Sequence, residues 1–283
     1  MFRFRLAESP ERLVGAAPEL EALPLVAHRV LSLLRDESTS IGALASLLET
    51  DQALAAAVLR HANSASVMSR RRIGTVREGI ARLGQRSLRA VVVQACAGPM
   101  LDRGLPPYAL SRRTAWRHAA TASVAARKLS TLFGLGHPDE ASVSGLMHDV
   151  GKMVLSSVVP ELVAEAVSLA RGKRLPVWQA ERHVLGFDHA SVSGALLRSW
   201  GFPDEVVGAV EQHHTPDSVQ QPLSSLVYLA DIAAHLAGAV GGGGACPQPE
   251  WDTPVAEALG GSAAELESFL STLRCIEEAD LCG

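Results

Sequence analysis

The chain has 283 residues, 47% hydrophobic and only 4% aromatic, with a formal net charge of −4. This length can hold one large domain or two packed subdomains around a substantial core. An interior of alanine, leucine and valine suits close-packed helices better than a strand-rich sandwich, and the mild whole-chain charge implies neither a nucleic-acid binder nor an acidic tail.

No run of about 18 uncharged apolar residues marks a membrane span. The opening MFRFRLAESPERLVG lacks the apolar stretch and small-residue cleavage site of a signal peptide. Cys96, Cys246, Cys275 and Cys282 form no CxxC pair, which argues against a disulfide framework or a zinc knuckle. The expected compartment is the cytoplasm, with no membrane partner.

In chain order, Ala27 to Arg35 sets Val30, Leu31 and Leu34 on one helical face. Ser40 can cap a helix with Ile41, Leu44, Leu47 and Leu48 as its buried stripe, and Asp51 a third with Leu54, Val58 and Leu59. After the turn-like SRRRIG, Thr75 can cap a helix ending near Gly84, and Ser87 opens the valine-rich text that follows. Propensity alone would allow a strand there; the helical surroundings favour helix. Gly98-Pro99 and Leu105-Pro106-Pro107 mark a break. Beyond it, helices are predicted over 110–133, 139–153, 160–171, 178–184, 189–200, 204–213 and 223–236. Gly241 to Gly244 and CPQPEWDTP read as a flexible joint before a last helix over 262–278.

The informative residues are polar ones set in apolar helical text: His118, His148-Asp149, Lys152, His189, His213-His214 and Asp231. A buried polar group without a partner costs about 1–3 kcal/mol, so such residues need one another. Convergence on a divalent cation, with imidazoles on one side and carboxylates on another, would satisfy them together. Plainer readings exist for each. His148-Asp149 can be a hydrogen-bonded structural pair, and His118 a core histidine beside Trp116. Asp231 can be an ordinary helix carboxylate, and Lys152 a solvated side chain. His189 can begin a helix beside Asp188, and His213-His214 can close one, where an imidazolium suits the helix dipole. His28, His61, His137, His183 and His235 fit no pattern and read as surface or packing residues.

The order H…HD…D resembles the HD phosphohydrolase superfamily. The resemblance implies metal ligands at His118, His148, Asp149 and Asp231, second-metal candidates at His189, His213 and His214, and a phosphate-touching role for Lys152. Upstream, LPLVAHRVLSLLRDESTSIGALASLLETDQALAAAVLRHANSASV and VREGIARLGQRSLRAVVV are similar to the first half of an HDOD domain, an HD-related output domain of bacterial signalling proteins. Asn63-Ser64-Ala65, Gly79-Ile80 and Leu83-Gly84 carry that likeness, and HASVSGALLRSWGFPDEVVGAVEQHH matches the family's second half. It covers roughly residues 19 to 240.

That resemblance implies an all-α multi-helix bundle, an N-terminal subdomain over 19–105 packed on an HD-like bundle over 106–240. An extension over 1–18 precedes them, and a Gly/Pro-rich joint with a C-terminal helix over 241–283 follows. It implies a regulatory protein without turnover that binds a signalling partner in trans or a nucleotide. The alternative is a metal-dependent phosphohydrolase acting on a nucleotide or phosphodiester. The implied cofactor is a divalent metal (Fe, Mn, Mg, Zn or Ni). Gln52 replaces the usual proline after Asp51, and Ser66-Val67 replace an aromatic. No Gly-Tyr-Pro follows His213-His214, and Thr114 stands where some multi-metal relatives carry glutamate, which argues against a three-metal site and cyclic-di-GMP hydrolysis.

From Arg60 to Arg117 the chain holds twelve arginines and no lysine, opposed only by Glu78 and Asp102. Such an excess can make a basic face for a nucleotide, an acidic partner or, as a weaker option, nucleic acid; the plain reading is pairing with the acidic C-terminal half. Arg70, Arg71 and Arg72, in a predicted loop, are the candidate partner contacts.

Overall fold

The protein is described in a computed structural model over residues 9–17, 25–34, 36, 38–64, 72–101, 104–216, 221–238 and 252–274. The chain divides into two compact units, residues 22–98 and a larger one built from 1–21 and 99–283. Among the described residues regular structure is helical, apart from one antiparallel bridge between Leu105 and Leu110. No single described helix is long and apolar enough to cross a membrane.

Helix α1 (Pro10–Gly15) belongs to the larger unit. The smaller unit contains α2 (Leu25–Leu33), α3 (Ile41–Leu48), α4 (Gln52–Ala62) and most of α5 (Val76–Leu101). The predicted caps are in place: Ser40 Oγ accepts from the Ala43 amide, Asp51 Oδ1 from the Ala53 and Leu54 amides, and Thr75 Oγ1 from the Glu78 amide. Each is worth about 1 kcal/mol. The valine-rich stretch is helical and buries Leu88, Val91, Val92 and Val93. At Gly84 the backbone takes φ 73° and ψ 171°, a conformation open to glycine, and the path bends there as the sequence suggests. The two units divide at the expected Gly98-Pro99 break, although helix α5 itself runs on to Leu101. Lacking an N–H, Pro99 leaves the Ala95 carbonyl without its ladder bond in that last turn.

Asn63 explains one motif residue. Its Nδ2 donates to the Leu59 and Ile73 carbonyls and its Oδ1 accepts from the Ile73 amide, so one amide staples both polar groups of Ile73. Arg70 and Arg71 lie outside the described residues; Arg72 is exposed. Elsewhere in the arginine-rich stretch, Arg89 donates to the Leu34 carbonyl at 2.6 Å and Arg117 to the Gly238 carbonyl at 2.8 Å, so these two serve the fold.

The larger unit continues with α6 (Arg112–Leu132), α7 (Pro138–Met147), α8 (Gly151–Val158), α9 (Pro160–Lys173) and α10 (Val177–Leu185). It is completed by α11 (His189–Ser199), α12 (Asp204–Glu211), α13 (Pro222–Leu236), α14 (Thr253–Ala258) and α15 (Ala263–Arg274). Helix α6 packs against α7 and α13, and α11 against α8, α12 and α1. The core holds Leu129, Met147, Leu155, Leu196, Leu197, Leu226 and Leu229. Each contributes about 1.5–3 kcal/mol by leaving water. Helix α15 packs back on the body through buried Phe269 and Leu273. Helix α14 begins inside the text expected to be a joint, where Asp252 caps it and accepts a bond from the Tyr228 hydroxyl.

The single helix expected over 139–153 is two. Residues 148–150 form a turn between α7 and α8, and His148 and Asp149 sit in it. The physical reason is a partner on α11. Ser193 Oγ donates to the His148 carbonyl and accepts from the Gly151 amide, each at 2.8 Å, so these backbone groups are satisfied outside the helical ladder. Glycine permits this approach: a Cβ at position 151 would lie 2.1 Å from the His189 carbonyl oxygen and 2.7 Å from the Ser193 amide. Gly145 likewise lets α7 close on α6, where a Cβ would lie 2.6 Å from the Ala122 carbonyl oxygen.

Candidate metal centre

Three elements of the larger unit bring His118, His148, Asp149 and Asp231 to one place. His118 comes from the buried face of α6, the His148-Asp149 pair from the α7–α8 turn, and Asp231 from α13. His118 Nε2 lies 3.0 Å from Asp231 Oδ1, 3.2 Å from His148 Nε2 and 3.7 Å from Asp149 Oδ2. His148 Nε2 is 3.6 Å from both carboxylates. An ion bonded to nitrogen and oxygen at about 2.1 Å holds four tetrahedral donors about 3.4 Å apart, and the donor atoms of His118, His148 and Asp149 lie within 4.8 Å of one another, a group able to take a cation.

A second lobe adjoins it. His189, the first residue of α11, lies with His213 and His214 from the turn after α12, their donor atoms within 4.8 Å of one another. His189 Nε2 is 2.9 Å from His214 Nε2 and 3.1 Å from Asp149 Oδ1. Asp149 therefore faces both lobes, with Oδ2 toward His118 and His148 and Oδ1 toward His189. His213 also joins His148 and Asp231 in a group of close donors, so it stands between the lobes. His189 does begin a helix beside its capping residue Asp188, and it faces the cluster as well. His213-His214 follows the end of α12, with no exposed imidazolium at the helix terminus: His213 is buried and His214 stacks on Trp178, ring centroids 5.4 Å apart and 12° from parallel.

The outer nitrogens of three rings fix which way their lone pairs point. His148 Nδ1 meets the Gly145 carbonyl at 2.8 Å and His213 Nδ1 the Val210 carbonyl at 2.6 Å. His189 Nδ1 meets Glu181 Oε2 at 2.6 Å. A carbonyl or carboxylate oxygen only accepts, so each Nδ1 carries the proton and each neutral ring turns an Nε2 lone pair inward. His213 Nε2 is buried without a hydrogen-bond partner. Inward lone pairs facing carboxylate oxygens repel unless a cation or a proton lies between them.

Electrostatics bear this out. Burial would raise Asp149, but the Lys152 ammonium at 2.6 Å and the His148 and His189 rings hold it well below the usual carboxylate range. Burial would raise Asp231 too, and His235, His118 and His148 hold it well below. His148 is pulled down by burial and pushed up more strongly by Asp149 and Asp231. His189 is pulled down by burial, yet Glu181 and Asp149 drive it up to about 9. Burial, with His148 and His189 alongside, takes His213 down to about 3, and burial with His213 holds His214 well below its ordinary value. Protons thus gather on the rings beside the carboxylates, His148 and His189, and avoid His213 and His214.

Sequence reasoning missed several supporting residues. Glu181 on α10 is completely buried. Its Oε1 accepts from the Tyr108 hydroxyl at 2.6 Å, and its Oε2 from both the backbone and the ring of His189. The clue was a glutamate on the apolar face of α10, adjoining Ala180 and one turn before Leu185. His235, read as packing or surface, sits one turn after Asp231 with Nε2 3.4 Å from Asp231 Oδ1. Burial carries its ring down to about 4. Thr114 pairs its hydroxyl with Ser111 at the start of α6.

A helical bundle with this order of residues meeting at one point is of the HD class. Residues 20–216 match the HDOD domain family, and the chain belongs to it. Among solved structures, an HDOD domain protein of unknown function from Geobacter sulfurreducens is 25% identical with a TM-score of 0.68, over 94% of this chain and 96% of that one. A structure from Shewanella amazonensis shares the fold at 22% identity and a TM-score of 0.69, over 98% and 97% of the two chains. An uncharacterised protein of Treponema pallidum is 24% identical over 231 residues, 78% of this chain and 44% of the relative. The chain spans less than half the length of the curated relatives it matches.

Proposed function

We propose that this protein is a signalling module of the HDOD kind that holds a divalent metal ion at His118, His148, Asp149 and Asp231 and acts by binding a partner, without turnover. The observation that carries the metal is the convergence of donor atoms: the Nε2 of His213 is buried and unpartnered beside His148 and Asp231, and the Nε2 of His148 lies 3.6 Å from two carboxylates. A cation satisfies them together. The mixed imidazole and carboxylate donors suit Fe, Mn, Zn or Ni better than Mg, and His189, His213 and His214 are the donors for a second ion. Once bound, the ion supplies Lewis acidity and cross-links α6, α13 and the α7–α8 turn.

The partner is a protein in trans or a nucleotide, with the arginine-rich text of the smaller unit as its docking surface. Arg72, Arg77, Arg82 and Arg86 are exposed there, and Arg70 and Arg71 belong to the same stretch of sequence. A phosphohydrolase is the second reading, favoured by one observation. The Lys152 ammonium lies beside Asp149, where a cation can stabilise charge developing on a phosphoryl oxygen.

Elemental analysis of protein purified without chelator is the test. At least one ion per chain is expected, lost in His148→Ala, with no turnover in a screen of nucleotides and phosphodiesters. Protein free of metal under these conditions overturns the reading. Turnover abolished by Asp149→Ala transfers the protein to the second.

A further inference from the structure

The four-residue cage has a neighbour that the HD order of residues does not include. His235 follows Asp231 by four residues on α13, so both side chains project from one face of that helix. Its Nε2 is 3.4 Å from Asp231 Oδ1, and its ring centroid is 4.8 Å from that of His118 at an interplanar angle of 49°. The donor atoms of His118, Asp231 and His235 lie within 4.8 Å of one another, a group that shares His118 with the group of His118, His148 and Asp149. With side-chain exposures of 25% and 17%, His235 and Asp231 are on the side of the cluster that reaches solvent, while His118 and His148 are sealed at 3% and 1%. That is the side from which a water or phosphate would reach the ion.

We infer that His235 is a fifth protein donor to the ion held by His118, His148, Asp149 and Asp231, and that it closes the centre on its solvent side. The inference rests on the metal binding proposed above. Three imidazoles and two carboxylates select a first-row transition ion that accepts five or six ligands, against Mg, which prefers oxygen and keeps several waters. Five protein donors leave one position of an octahedron. An ion that works on substrate needs room for both a water and a substrate oxygen, whereas a retained ion is enclosed by protein. A nearly closed centre fits a core that stabilises a binding-competent fold.

The test uses the full chain, stripped of metal and titrated with cobalt(II), in wild type, His235→Ala and His235→Cys. The second lobe is common to all three proteins, so differences belong to position 235. His235→Ala should bind the first cobalt at least about tenfold more weakly, and its visible absorption should intensify as coordination falls from five or six toward four. His235→Cys, which restores a donor, should recover the affinity, a recovery that a merely structural histidine would not produce. If His235→Ala does not fold, the wild-type spectrum and the cysteine variant decide alone: an intense four-coordinate spectrum for the first cobalt bound by wild type overturns the assignment. Equal affinity and spectra in wild type and His235→Ala overturn it while leaving the metal centre standing. Loss of one whole equivalent, with the remaining affinity unchanged, also overturns it, by making His235 part of a separate ion's site. A wild-type chain that binds no cobalt removes both the centre and its fifth donor.

Discussion

The two lobes of the cluster are built on opposite charge plans. Around His118 and His148 the imidazoles face two carboxylates directly, so negative charge lies inside the donor set. Around His189, His213 and His214 the inner shell is imidazole alone. Negative charge comes from behind, from Glu181 on the far nitrogen of His189, and from the one oxygen of Asp149 turned that way. The first lobe can hold a dication with its own charges. The second would depend on a carboxylate one residue removed and on sharing Asp149, so under the proposed metal binding it would be the weaker site, coupled to the first.

The seam between the lobes is where one atom should have the largest effect. Gly151→Ala puts a methyl group 2.1 Å from the His189 carbonyl oxygen, a backbone atom that no rotamer change can move. Helix α8 must shift from α11, breaking the Ser193 bonds to His148 and Gly151 and drawing Asp149 away from His189. A loss of about 3 kcal/mol in denaturant unfolding is expected, with affinity falling at both lobes. A variant as stable as wild type, with both sites intact, would show that the lobes do not depend on this contact.

The sequence pointed to donor residues of both lobes, and less to what supports them. The order H…HD…D names the first-lobe residues because each sits in apolar text where a polar residue needs an explanation. It does not disclose that the His148-Asp149 pair occupies a turn, since the cause is Ser193, forty-five residues further on. Helix periodicity and caps such as Ser40 and Asp51 are local and were readable. Glu181, Tyr108 and His235 act through neighbours distant in the chain or through donor geometry, and single-residue patterns carry neither.

Proton linkage separates the lobes next. In metal-free protein His189 is raised to about 9, so its imidazolium stabilises the fold fully below the unfolded value of 6.5, and that contribution vanishes as pH rises through 9. His213, lowered to about 3 among His148, His189, Asp231 and Asp149, acts in reverse. Its contribution is complete above 6.5 and is lost as pH falls toward 3. Between pH 7 and pH 9 the metal-free chain should lose on the order of 2 kcal/mol. A loaded second lobe should not, because the ion replaces the proton on His189. Urea unfolding across this range, with and without zinc, measures the difference, and parallel profiles would detach His189 from that lobe.

The smallest expected effect on stability is the most selective. Glu181→Gln keeps the shape and every hydrogen-bonding position: the amide oxygen can accept from the two His189 donors while the amide nitrogen donates to Tyr108, whose hydroxyl reverses. Only the charge behind His189 is removed. Since an outer carboxylate raises the basicity of its imidazole and holds the ring's direction, the second-lobe affinity should fall roughly ten- to a hundredfold. The first lobe should keep its ion, because neither His118, His148 nor Asp231 touches Glu181. Two-step zinc titrations of wild type and Glu181→Gln resolve this. A uniform drop at both steps would mean that Glu181 stiffens the whole cluster, and no drop at either would mean that charge held outside the donor set contributes nothing to the imidazole-only lobe.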